Sequence, residues 1–161
     1  MRNNMALCTT VQPTPDRPDM VAHPFSLQIP GTPRSVRRAL AEIRERIKAG
    51  GATPDTLSRI EIALAEVLNN VVEHALHHAQ DGNIRVVVTP RDMDWHFEVS
   101  DNGVALPGDA LPNPPLPKTS LPLADLPEGG FGWAIVNMLA RDLRYTREAD
   151  RNVLSFVMPA S

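Results

Sequence analysis

The sequence predicts an α+β fold: a two-layer sandwich with a mixed, mostly antiparallel sheet and helices on one face. Three observations carry this. Short segments at 25–29, 84–88, 95–99, 143–146 and 153–157 alternate apolar and polar residues or are rich in β-branched ones, as half-buried strands do. Two segments between residues 32 and 79 repeat apolar residues at helical spacing, and each opens on Thr-Pro. Strands and helices are segregated along the chain instead of alternating regularly, which favours an α+β sandwich. A chain of 161 residues suits one domain with a full core.

Residues 1–23, with Pro13, Pro15 and Pro18, read as a disordered or loosely attached leader, so the domain is expected over 24–161. Phe25–Ile29 is the first strand. Thr32 then caps a helix whose first position is Pro33. Val36, Leu40, Ile43 and Ile47 form its apolar side, and Gly50-Gly51 ends it. Arg34, Arg37, Arg38, Arg44 and Lys48 share the other side, which reads as a solvated face or as a docking surface for an acidic protein partner.

Thr53-Pro54 opens the second helix, whose pattern runs from 54 to 79. Ile60, Leu64, Val67, Leu68, Val71 and Ala75 face the core, while Glu66, Asn70, Glu73 and His77 form a polar stripe. Asp81-Gly82-Asn83 turns the chain into the strand Ile84–Val88. Trp95–Val99 returns beside it and runs into Asp101-Asn102-Gly103.

Seven prolines break any regular element between residues 104 and 127. The remainder of the chain is too short to be a second domain, so this stretch is expected to be a lid inserted in the first. Glu128-Gly129-Gly130-Phe131-Gly132 leads into a helix over Trp133–Ala140. Leu143–Thr146 and Val153–Val157 are the closing strands. Trp95 and Trp133 read as core or core-edge residues.

The net charge of −3 and a pI near 5.9 argue against a chain built to grip nucleic acid or an acidic membrane surface. Cys8 is the single cysteine, so no intrachain disulfide can form, which fits a reducing compartment. With no signal-peptide pattern and no apolar run of spanning length, the expected location is cytoplasmic.

Three groups of residues carry possible chemistry. Glu66 and Asn70 stand one helical turn apart. Asp101-x-Gly103 lies where a strand ends. Gly130-x-Gly132 opens a helix after a loop. Glycines before a helix let backbone N–H groups face a phosphate. An aspartate at a strand end can accept a hydrogen bond from an exocyclic amine, and a glycine beside it leaves room for a flat ring. An asparagine oxygen with phosphate oxygens can complete a Mg²⁺ shell, and a nearby glutamate can take a proton from an attacking hydroxyl. Together they describe an ATP site without a Walker-type loop.

The order and spacing of these groups resemble the GHKL (Bergerat-fold, HATPase_c) ATPase superfamily over roughly residues 25–158. The short chain and the Glu-x-x-x-Asn-x-x-x-His-Ala form of Glu66 to Ala75 look most like bacterial anti-sigma-factor serine/threonine kinases. The resemblance implies that Asn70 binds Mg²⁺, that Glu66 is the general base, and that His74 belongs to the same nucleotide-side motif. It implies that Asp101, with Gly103 alongside, recognises the adenine amino group, and that Gly130 and Gly132 flank the triphosphate below the lid. It further implies a homodimer that binds a sigma factor and phosphorylates a serine of a STAS-domain anti-anti-sigma protein. The basic face near Arg37 and Arg38 resembles the family's partner-binding first helix. Ser155 lies near the family's small hydroxyl residue on a late strand.

Two departures stand out. Ala105 occupies a place where the family often has a second glycine, and the proline-rich lid carries Lys118 as its only basic residue. Both bear more on phosphoryl transfer than on nucleotide binding, so a nucleotide-gated binding module is the alternative expectation. A histidine-kinase catalytic fragment is disfavoured, since residues 1–23 are too short and proline-rich for a dimerisation helix. His74, His77 and His78 have helical spacing that suits zinc, but no nearby cysteine or carboxylate completes the set.

Overall fold

The computed structural model describes residues 22–112 and 131–160. Most of the expected leader and lid, with Cys8, Lys118 and Gly130, lie outside the described residues. The first strand, β1 (Phe25–Pro30), leads into helix α1 (Pro33–Ala49) and then α2 (Pro54–Asn70). The side-chain oxygens of Thr32 and Thr53 each accept a bond from the backbone N–H three residues on, at 3.2 Å, so both Thr-Pro starts act as capped helix entries.

Strands β2 (Asn83–Arg91) and β3 (Asp94–Asp101) form a hairpin. In the second described stretch come α3 (Gly132–Leu139), β4 (Arg141–Glu148) and β5 (Arg151–Met158). The sheet order is β1-β2-β3-β5-β4, and every pairing is antiparallel. The expected two-layer sandwich is therefore present, with one face of the sheet covered by helices.

That face explains the alternation in the sequence. Val86 of β2, Val99 of β3 and Leu154 of β5 stand in register, and Val88, Phe97 and Phe156 form the next rung. All are buried. The rings of Phe97 and Phe156 stack with centroids 5.1 Å apart. Ile43 and Ile47 of α1 and Leu64, Val67 and Leu68 of α2 close over them. On the opposite face Arg85 and Glu98 are exposed, as half-buried strands require. Arg44 pairs with Glu61 and ties α1 to α2.

The second helix departs from the expected 54–79. Regular α-helix stops at Asn70, and Val71–Ala75 forms a π turn, closed by the Leu76 N–H bonding Val71 O at 2.9 Å. Leu76 is buried against Gly31 and Gly82, so the chain widens by one residue to seat it. A sequence periodicity that assumes 3.6 residues per turn does not anticipate such a widening.

Candidate functional site

A cavity of about 180 Å³ opens between the end of α2, the π turn, the end of β3 and the start of α3. Three of the sequence's candidates, Asn70, His74 and Asp101, line it. Glu73 and His77, expected on the same stripe, are exposed and do not. His77 instead meets His78 edge-to-face at 4.4 Å.

Asp101 is 3% exposed, because β3 carries it inward at the strand's last position. Its Oδ1 accepts from the Gly103 N–H and from Asn152 Nδ2, both at 2.8 Å. Its Oδ2 has no protein partner among the described residues and is not sealed from the cavity. Burial pushes the Asp101 carboxyl above the usual carboxylate range. The bonds from Asn152 and Gly103 and the charges of Arg147 and Arg151 oppose that rise without cancelling it.

Gly103 sits beside Asp101, but the space its missing side chain leaves is not open for a ring. A Cβ there would collide with the backbone oxygen of Ala75, the last residue of the π turn. The next residue, Val104, donates its N–H to that same oxygen at 2.9 Å. The glycine thus lets the strand end and the helix end meet, backbone to backbone. Val104, Ala105, Leu106 and Pro107 continue as one wall of the cavity.

Beside Asn70, α3 begins directly over Glu66; neither Glu66 nor Gly132 lines the cavity itself. A Cβ on Gly132 would strike Glu66 Oε2 and lie 3.5 Å from Asn70 Nδ2. No side chain among the described residues caps α3, so none of them occupies the N–H groups of its first turn, which can face a ligand. Among the described residues, buried Asn70 Nδ2 has no hydrogen-bond partner, and Asn70 Oδ1 has none either. An unused amide beside a carboxylate supplies hard oxygen donors, which fit Mg²⁺. No cluster of three or more His, Cys, Asp or Glu side chains suited to a metal occurs among the described residues. A cation held here would therefore draw most of its ligands from phosphate oxygens and water.

Two residues the sequence reading passed over complete the site. Asn152 lies just before the expected strand Val153–Val157, yet it is the second residue of β5, opposite Asp101, and is 5% exposed. Tyr145 of β4 lines the cavity and bonds Asn152 through its hydroxyl at 2.7 Å. The signal for Asn152 was its phase: it shares the inward period with Leu154, Phe156 and Met158, so a polar residue there needs a buried partner. Ser155 has the opposite phase. It pairs with Glu98 and Arg144 on the far face of the sheet, so it is not part of this site. Trp133, read as a core-edge residue, packs on the core and also lines the cavity.

A model of the histidine kinase-like ATPase domain matches residues 29–158. No curated protein matches the chain. Among solved structures, the chain is similar to the RsbU and RsbW domains of Rv1364c from Mycobacterium tuberculosis. The identity is 21%, the TM-score 0.59, and the match covers 84% of this chain and 32% of that one. It is also similar to the histidine kinase domain of the blue-light-activated histidine kinase EL346 from Erythrobacter litoralis, at 23% identity and TM-score 0.51. That match covers 81% of this chain and 61% of the other. The chain thus spans less than two thirds of either structure, and at these identities the likeness is one of fold. No helix among the described residues is long and apolar enough to cross a membrane. With the matched residues running from the end of β1 to the end of β5, and so spanning the whole site, the chain belongs to the histidine kinase-like ATPase domain family.

Proposed function

We propose that this domain binds Mg-ATP and acts as a protein serine kinase in a partner switch, holding a sigma factor or related regulator and phosphorylating a STAS-domain protein. The carrying observation is the meeting of Glu66, Asn70 and Gly132. A carboxylate and an amide with no partner among the described residues lie one turn apart, against the start of α3. In this reading the first turn of α3, with Gly130 and Gly132, faces the triphosphate. Asn70 contributes an oxygen to Mg²⁺, and His74 borders the nucleotide. Mg²⁺ when bound would neutralise phosphate charge. Glu66 takes the proton from the attacking serine hydroxyl, and Asp101 Oδ2 accepts from the adenine amino group. The domain acts as a homodimer, with the exposed Arg34, Arg37 and Arg38 of α1 facing the regulator.

The likeness to a structure that contains an RsbW domain supports the anti-sigma-type reading, and the fold of a histidine kinase domain supports ATP use. The test is transfer of γ-phosphate from ATP to a STAS-domain protein encoded beside the gene. Glu66→Ala is expected to abolish transfer and to spare most ATP binding; full transfer by that variant would remove Glu66 as the base.

A second reading rests on Ala105, which lines the cavity at a place where relatives often have glycine. It makes the domain a nucleotide-gated binding module with little transfer. It predicts ATP-dependent association with a partner and no phosphoserine by mass spectrometry.

A further inference from the structure

We infer that Asn152 is a positioning residue for base selection: it holds the Asp101 carboxylate in one orientation, so that Oδ2 alone is offered to the base. The inference rests on the adenine reading given above and goes beyond it by identifying what gives Asp101 its selectivity.

All four hydrogen-bonding positions of the Asn152 amide are used. Nδ2 donates to Asp101 Oδ1 at 2.8 Å and to Val104 O at 2.9 Å. Oδ1 accepts from the Tyr145 hydroxyl and from Arg147, both at 2.7 Å. Rotating the amide by half a turn would set its oxygen against two acceptors and its NH₂ against the Arg147 donor, so only one orientation satisfies the site. Arg147 also donates to Gly103 O at 2.8 Å, and Gly103 N–H donates back to Asp101 Oδ1. The bonds close a ring through Asp101, Asn152, Arg147 and Gly103.

That ring matters because an aspartate's last torsion is soft. Held by one donor, the carboxylate can swing and present either oxygen at several angles. Held by two donors on Oδ1, it keeps Oδ2 as a fixed acceptor on the cavity side. A site with a fixed, buried acceptor rejects a ligand lacking the matching N–H, because the acceptor is then left unpaired. The Tyr145 hydroxyl extends the ring by accepting from Leu106 N–H at 3.0 Å, which anchors the segment over the cavity to the same groups.

The test compares ATP with purine riboside 5′-triphosphate, which differs only in lacking the 6-amino group, by equilibrium titration of the full chain. The wild type is expected to prefer ATP. Asn152→Ala is expected to lose about tenfold of that preference, the value of one well-made hydrogen bond, on top of any change common to both triphosphates. Asn152→Ser, which keeps a small polar side chain in β5 but is too short to span to Oδ1, is expected to lose it likewise, and decides the matter if the alanine variant does not fold. Equal weakening of both ligands, with the preference kept, would mean a structural role only and would overturn the inference. A wild type with no preference would instead remove the adenine reading itself.

Discussion

Gly103→Ala puts the assembly of the site to a quantitative test. The added methyl meets the oxygen, carbonyl carbon and Cβ of Ala75, two of them backbone atoms that no rotamer change can move aside. The π turn and the β3 terminus must separate. Overpacking of this kind costs roughly 1–3 kcal/mol. Separation also stretches the 2.9 Å bond from Val104 N–H to Ala75 O, worth about 1 kcal/mol more. A total of about 2–4 kcal/mol corresponds to a fall in melting temperature of roughly 4–16 °C for a chain of this size. The same shift displaces the donor that holds Asp101 Oδ1, so ATP affinity falls as well. Gly51→Ala is the control. Gly51 has φ +88°, and a Cβ there would meet nothing within 4 Å among the described residues, so only backbone strain of about 1–2 kcal/mol is expected, with ATP affinity unchanged. Scanning fluorimetry and calorimetric titration of both variants read these effects. A Gly103→Ala protein that melts within 1 °C or so of wild type and binds ATP normally would refute the reasoning.

Asp101→Asn tests the carboxylate itself. Its raised folded pKa means that its favourable contribution is complete only below the unfolded carboxylate range and is lost as pH rises through the folded value. Asparagine keeps the acceptor for Gly103 and Asn152 without the buried charge. The variant is therefore expected to melt at or above the wild type at pH 7, with the advantage fading below about pH 4, and to lose ATP binding; an advantage confined to acid would contradict this. The Asp92-Met93 hairpin turn has φ of 50° and 74°, and Met93 is 84% exposed. Met93→Gly is expected to stabilise by about 1 kcal/mol in urea titration, since glycine takes that backbone without strain. Phe156→Ala removes a fully buried ring stacked on Phe97 and is expected to destabilise by about 3–5 kcal/mol, read from the midpoint of the same titration.

The elements that were plain in the sequence are those with a local cause. Thr32-Pro33 and Thr53-Pro54 carry their caps beside them, and the alternation of β2, β3 and β5 survives because one sheet face is buried and the other wet. Glu66 and Asn70 were legible because a helix of fixed pitch places them together. The π turn was not, since the seat for Leu76 lies between Gly82 and the distant Gly31. The role of Gly103 was misread for the same reason, because Ala75 is its neighbour only in space. Asn152 and Ser155 were exchanged in importance through a question of strand phase. Extending β5 back to Arg151 puts Asn152 inward and Ser155 outward, and a strand started at Val153 hides the first of these.

Asn70 bears most directly on the Mg-ATP assignment, because its amide, Nδ2 and Oδ1 alike, has no partner among the described residues. Titrating ATP against the wild type and Asn70→Ala, each with and without Mg²⁺, isolates that residue. Magnesium is expected to strengthen ATP binding to the wild type and to have little effect on the variant. Equal magnesium dependence in the two proteins, or no ATP binding by the wild type at all, would contradict the assignment of this cavity as a Mg-ATP site.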